Sequence, residues 1–275
     1  MPYLTGKVSS GTRGCFYLVG LIGLTETGKF EYRFFTKAMR NFRYKKEITH
    51  SISVFGVLRS SLAGVFCLQG VALLVLAPFL FSLRFWTPPV TSLMVYRALF
   101  NGYEIQPLRT VSLKNLPPWV PRLFVFLEDR RFYNHPGIDL NAIKTAYERN
   151  RALGRAAFGG STITQQLART LFLTPHKNYF RKYMEVLIAL EMDALVPKQR
   201  IMELYLNLIE WGPGIFGIGK AAEVYYKGKK AERLTVDQYC RLAAVLPNPL
   251  AYNVRTIEKS KGILQRYQTL QKVFS

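Results

Sequence analysis

An all-α domain behind a single membrane-spanning helix is the architecture this sequence predicts. Ser60 to Leu83 forms a run of 24 residues without a charge. Beyond it, apolar residues recur at helical spacing, and no convincing run of alternating strand residues interrupts them. Thr162 with Gln165, and Thr235 with Gln238, have the spacing of reciprocal capping boxes at helix starts.

Residues 1–59 are the least informative part of the chain. Phe16 to Leu24 is apolar but too short to span, and the rest alternates basic with aromatic residues. The expectation is a weakly ordered cytoplasmic segment. Residues 60–83 are expected to form the transmembrane helix. At 1.5 Å per residue such a helix is roughly 36 Å long, enough to cross a hydrocarbon core with some tilt. Pro78 can kink it without forbidding it. The run is too long for a signal-peptide core and lacks a small-x-small cleavage site before Arg84. Lys37, Arg40, Arg43, Lys45, Lys46 and Arg59 precede the span, whereas only Arg84 and Arg97 follow in a similar window. The positive-inside bias therefore places the N-terminus in the cytoplasm and residues 84–275 outside, in the periplasm of a Gram-negative inner membrane.

Pro88-Pro89 then opens a linker, and Val90 to Arg97 is amphipathic. Pro117, Pro118 and Pro121 precede the apolar run Leu123 to Leu127, which predicts a buried helix starting near Pro121. In the helix after Thr162, residues Ile163, Leu167 and Leu171 share one face, and Thr162, Gln165, Gln166 and Arg169 form a polar stripe on the other. Tyr179 to Val196 is expected to bury Phe180, Tyr183, Met184, Leu187, Leu190 and Ala194. Glu191 falls on that stripe and is expected as a buried carboxylate with a basic partner. Ile201, Leu204, Tyr205 and Leu208 mark the next helix, which stops at Gly212-Pro213-Gly214.

With 38 basic and 17 acidic side chains the formal charge is +21. That balance implies a polyanionic partner: nucleic acid, an anionic membrane surface or a phosphorylated substrate. Nucleic acid is excluded if the basic domain lies outside the cell. The three cysteines, Cys15, Cys67 and Cys240, have no metal-ligand spacing and form no disulfide framework.

Four polar segments lie between Phe126 and Asn207. The first is Glu128-Asp129-Arg130-Arg131-Phe132-Tyr133-Asn134-His135-Pro136-Gly137. Glu128 ends the apolar run Phe124 to Leu127, and a carboxylate at the edge of a dry pocket suits proton transfer. Its ordinary alternative is an exposed ion pair with Arg130 or Arg131. The second is Gly159-Gly160-Ser161-Thr162-Ile163-Thr164-Gln165-Gln166, where glycines before a helix N-terminus let backbone N–H groups approach an anion. The third, Arg181-Lys182-Tyr183-Met184-Glu185, sets two cations and a carboxylate on one side of a helix, which could equally be a surface salt bridge. The fourth runs from Lys198 through Glu203-Leu204-Tyr205-Leu206-Asn207; its Lys198, Glu203, Tyr205 and Asn207 are read as holding the fold together.

In this order and spacing the segments resemble the glycosyltransferase family 51 domain, whose enzymes polymerise lipid II into peptidoglycan glycan strands. The resemblance spans residues 86–255 and is strongest to the single-function members. It implies a lysozyme-like helical lobe with a smaller lobe leaning on the membrane. It implies that Glu128 is the catalytic base and Glu185 the second essential glutamate, positioning the sugar diphosphate or a bound divalent cation. Ser161, Thr162, Gln165, Gln166, Arg169, Lys177, Arg181 and Lys182 would bind substrate. Arg169 stands where the family commonly has lysine, and Lys177 where it often has arginine. Asp129 and His135 would orient the neighbourhood, with Asn207 structural near the site. The reaction implied is an inverting displacement, from an α-linked undecaprenyl diphosphate sugar to a β-1,4 linkage. No dedicated metal cage is evident, so a Mg²⁺ ion would be held mainly by the substrate diphosphate. Partners implied are lipid II, the growing strand, an anionic membrane, and division or transpeptidase proteins. Neither Ser-x-x-Lys nor Lys-Thr-Gly occurs, so cross-linking is expected of another protein. The competing readings are a peptidoglycan-cleaving lytic transglycosylase or lysozyme-like enzyme, and a non-catalytic scaffold that binds lipid II.

Overall fold

The computed structural model describes residues 4–8, 16–24, 29–36, 50–155 and 157–275. The chain divides into two units, Met1–Ala72 and Leu73–Ser275. In the first, β1 (Leu4–Val8), β2 (Phe16–Leu24), β3 (Lys29–Thr36) and β4 (His50–Ser53) form an antiparallel sheet in chain order. The segment expected to be weakly ordered is therefore strand over these residues. Phe30-Glu31-Tyr32-Arg33-Phe34 alternates aromatic with charged side chains, and that period of two is the strand period. Cys15 lies outside the described residues.

Helix α1 (Val54–Ser82) contains the 24-residue stretch Arg59–Ser82, long and apolar enough by length and composition to cross a membrane. Leu74 and Val75 are exposed on it, unlike the side chains of a core helix. Its last turn enters the core of the second unit. Leu80 and Leu83 are fully buried there, and Phe79 meets Phe172 edge to face at 5.6 Å.

The second unit is a lysozyme-like helical domain. It contains α2 (Ser92–Asn101), α3 (Trp119–Glu128), α4 (Leu140–Leu153), α5 (Ile163–Phe172), α6 (Tyr179–Leu195), α7 (Lys198–Leu208), α8 (Ile218–Tyr225), α9 (Val236–Val245) and α10 (Lys261–Phe274). A short hairpin, β5 (Glu210–Gly212) and β6 (Ile215–Phe216), separates α7 from α8. Its turn needs Gly214, at φ 70°, where a Cβ would also strike the Glu104 carbonyl at 2.2 Å. Helix α3 starts behind Pro117-Pro118 and buries Val120, Leu123 and Phe124, a spacing of three and four residues. Helix α5 packs between α6 and α7 and buries Ile163, Leu167 and Leu171 as its periodicity predicts. Helices α9 and α10 close the other side of α3.

Helix α6 is rotated relative to its expected face. Phe180 is 73% exposed, Tyr183 and Ala194 also face outward, and the buried residues are Glu185, Ile188, Ala189 and Met192. The aromatic stripe was the stronger hydrophobic signal. The tertiary fit instead turns Glu185, Ile188, Ala189 and Met192 inward, where α6 packs on α5. Glu191, half-buried, has no ion-pair partner among the described residues, and its Oε2 makes no hydrogen bond. Burial raises its carboxyl above the ordinary range.

Candidate active site

The site begins where α3 ends. Glu128 is the last residue of that helix, so its backbone is fixed by packing while its side chain reaches the surface of the core. One carboxylate oxygen, Oε2, accepts a 3.0 Å hydrogen bond from Gln166 Nε2 of α5. The other accepts from the guanidinium of Arg266, on α10. Arg266 lies 138 residues away in sequence and completes an ion pair with Glu128. Neither Arg130 nor Arg131 supplies it: Arg130 caps Phe126 and Arg131 pairs with Asp139.

Asp129 turns the opposite way, into the protein. Its carboxylate accepts from His135 Nε2 at 3.0 Å and from the backbone N–H of Ile163 at 3.1 Å. The N-terminus of α5 is thus filled by protein groups. The Thr162 hydroxyl oxygen accepts from Gln165 N, the Gln165 side-chain oxygen accepts from Thr162 N, and the Thr162 hydroxyl donates to the Gly137 carbonyl at 2.6 Å. Gly137 sits at φ 85°, and a Cβ there would meet the Ala189 carbonyl at 2.4 Å. Gln165 is fully buried in this cap and lines neither cavity described below, so it does not share the polar stripe with Gln166 and Arg169. The capping box turns Gln165 back onto its own helix start, so Gln166 and Arg169 are what the stripe keeps within α5, with Thr162 as its N-cap.

Glu185 is 1% exposed and held at 2.5 Å by both Arg181 Nη1 and Lys182 Nζ. Lys182 Nζ also donates to Ser161 Oγ at 2.8 Å, tying α6 to the loop before α5. This is a buried carboxylate saturated by cations, not a surface salt bridge. Asn207 is also interior. Its amide accepts from Val111 N at 2.7 Å and donates to the Val111 and Glu203 carbonyls at 2.8 Å.

Two cavities lie beside this cluster, one lined by Glu128 and the other by its hydrogen-bond partner Gln166. The larger, about 750 Å³, is lined by Glu128, Arg130, Arg131, Arg149, Phe158 and Arg266 among others. Gly160 forms part of its wall, and a Cβ there would come within 2.8 Å of Ile143 Cα. The smaller, about 330 Å³, is lined by Arg97, Gln166, Arg169, Lys177, Arg181 and Glu210. Arg97 is bound through two nitrogens by Glu210, whose carboxyl burial raises and the Arg97 guanidinium lowers. Arg169 has no ion-pair partner among the described residues. The Glu128–Gln166 hydrogen bond links the two walls: Glu128 lines the larger cavity, which also carries four arginines, and Gln166 lines the smaller, with Arg97, Arg169, Lys177 and Arg181. No group of three or more His, Cys, Asp or Glu side chains among the described residues could hold a metal. Glu185, the buried carboxylate nearest the cations, has its oxygens taken up by Arg181 and Lys182.

Of the residues expected at the site, Glu128, Ser161, Thr162, Gln166, Arg169, Lys177 and Arg181 line the cavities. Lys182 and Glu185 stand behind them. Arg266 is the addition. Nothing local marks it, since it is one cation in a helix that also carries Lys261 and Lys272.

The helical domain thus carries Glu128 in the wall of the larger cavity and Arg97, Arg169, Lys177 and Arg181 in that of the smaller. The chain belongs to the transglycosylase family, whose sequence model matches residues 98–273. It is 40% identical over 190 residues to the biosynthetic peptidoglycan transglycosylase of Laribacter hongkongensis, covering 66% of this chain and 83% of that protein. The protein of the same name from Caulobacter vibrioides is 41% identical over 192 residues, covering 69% of this chain and 80% of its own. That from Nitrosomonas eutropha is 37% identical over 214 residues, covering 74% and 87%.

Proposed function

We propose that this peptidoglycan glycosyltransferase polymerises lipid II into β-1,4 glycan strands, with Glu128 as the general base. The observation that carries the reading is that Glu128 lines the larger cavity while hydrogen-bonded to Gln166, which lines the smaller, cationic one. An acceptor sugar in the larger cavity presents its 4-hydroxyl to the carboxylate. The donor's diphosphate lies among Arg169, Lys177 and Arg181 in the smaller one. Glu128 removes the hydroxyl proton as the oxygen attacks the donor's anomeric carbon, and the cations stabilise charge on the departing undecaprenyl diphosphate. Attack from the face opposite the leaving group inverts the α linkage to β. A carboxylate has about four lone-pair sites, so the bonds from Gln166 and Arg266 leave room for the substrate hydroxyl. Glu185 holds Arg181 and Lys182 in place. Ser161 fixes Lys182, while Thr162 and Gln165 serve by anchoring α5. No step is routed through a metal.

Helix α1 anchors the enzyme in the membrane, with residues 84–275 on the outer face. Phe85, Leu99, Phe100, Tyr179 and Phe180 are exposed, and apolar side chains of this kind suit a smaller lobe leaning on lipid. Tyr96 ties α2 to the loop before α6 through a 3.1 Å hydrogen bond to His176.

Purified protein incubated with labelled lipid II should yield polymer, and Glu128→Gln should yield almost none. A loss below about tenfold, roughly 1.4 kcal/mol of barrier, is too small for the principal base. Cleavage of preformed glycan without polymer would favour a lytic enzyme.

A further inference from the structure

We propose that Tyr205 is a positioning residue for the reaction, orienting Glu128 through Gln166. The inference rests on the reading of Glu128 as base. Tyr205, on α7, is fully buried. A buried hydroxyl is costly unless hydrogen-bonded, so its partner is informative. That partner is Gln166: the Tyr205 hydroxyl donates to Gln166 Oε1 at 3.1 Å. The other end of the same amide, Nε2, donates to Glu128 Oε2 at 3.0 Å. The direction of the relay follows from chemistry. An ionised carboxylate only accepts, so the amide must turn its NH₂ toward Glu128, leaving its oxygen for a donor. Tyr205 is suited to donate, since burial holds its phenol well above the ordinary range, with the Glu128 carboxylate acting in the same direction.

Without that hydroxyl the amide could rotate, or tilt toward the smaller cavity that it also lines. Glu128 would then keep Arg266 as its sole fixed partner and would sweep a wider arc. A base must be within hydrogen-bond reach of the proton it takes, so looser placement lowers turnover more than substrate binding. The larger cavity and the cations of the smaller one do not include Tyr205, so the substrate contacts themselves stay intact.

The test is a double-mutant cycle on the full chain in detergent or vesicles, with lipid II as substrate. Tyr205→Phe should lower kcat about tenfold, leave KM within about twofold and keep Tm within about 2 °C. In a Gln166→Ala background the same change should cost less than about twofold, because the link is already cut. Wild-type turnover in Tyr205→Phe overturns the inference. So does a loss of equal size in both backgrounds, which marks a structural role, and so does a loss confined to KM. Glu128→Gln separates the two levels. If it is inactive while Tyr205→Phe is unimpaired, only the relay fails; if it still polymerises, the assignment of the base fails.

Discussion

Arg169 shows how much of the chemistry rests on individual side chains. It lines the smaller cavity with Lys177 and Arg181, and no carboxylate among the described residues neutralises it. A cation left unpaired beside other cations fits a site awaiting an anion. Arg169→Lys should therefore retain activity, because an ammonium still offsets phosphate charge, though without the planar fork of arginine. Arg169→Ala should lose at least about tenfold in turnover while changing stability by less than about 0.5 kcal/mol. Lipid II polymerisation and a melting curve on the same preparations check both. An alanine variant as active as wild type would leave the diphosphate to Lys177 and Arg181. Glu185 behaves differently, because removing a carboxylate clamped by two cations leaves buried charge behind. Glu185→Gln is expected to lose both activity and stability, the latter by about 3 kcal/mol.

Among the elements, the start of α5 matters most. Its capping box, its bond to Gly137 and the Asp129 carboxylate on Ile163 N all set the direction in which Gln166 and Arg169 leave the helix. Thr162→Ala removes a cap and an interelement bond together, and should cost about 1–2 kcal/mol in urea unfolding. Activity should fall with it, even though Thr162 need not touch the reacting atoms. Helix α4 is tied down by its own cap, Asp139, which accepts from Ala142 N at 2.8 Å and pairs with Arg131. The Arg131 hydrogen bond holds the Asp139 carboxyl down to about 2, against the opposing effect of burial. A depressed carboxyl stabilises the fold above its unfolded value, and the contribution disappears as pH falls through the folded one. Unfolding free energy should thus drop between about pH 4 and pH 2, and Asp139→Ala should flatten that part of the curve. An unchanged acid limb in the variant would show that another carboxylate controls it.

Over the whole molecule, charge and apolar surface point to one environment. A formal charge of +21 and a helix able to cross a bilayer suit an enzyme working at an anionic surface on a phosphorylated lipid. The bias of basic residues ahead of Ser60 sets the expected orientation. A periplasm-active reporter fused after Trp86 should give signal, and the same reporter fused before Arg59 should stay silent. The reverse pattern would put the glycosyltransferase domain on the side of the membrane where glycan strands have no use.

Helical content, the apolar span and the starts of α5 and α9 could be read without coordinates, because each depends on residues within a turn or two of one another. Capping boxes, proline stops and three-four periodicity are local. So is the ordered set of polar segments that brought Glu128, Arg169, Lys177 and Glu185 forward as candidates. Strand β3 carried a local sign too, in the period of two of Phe30 to Phe34, but it was obscured by surrounding basic residues that resemble a polar tail. The rest depended on distance through the chain. The face that α6 buries was settled by its packing on α5, which its own aromatic stripe does not record. Gln165 was taken out of the polar stripe by a side chain folding back on the helix start, and Gln166 was left facing Glu128. Arg266 reaches Glu128 across 138 residues, and no local pattern distinguishes it from any other surface cation. An ion pair or an amide relay exists only once separate helices are packed together. The chemistry of this site was therefore latent in residue types, and became a geometry when α3, α5, α7 and α10 met.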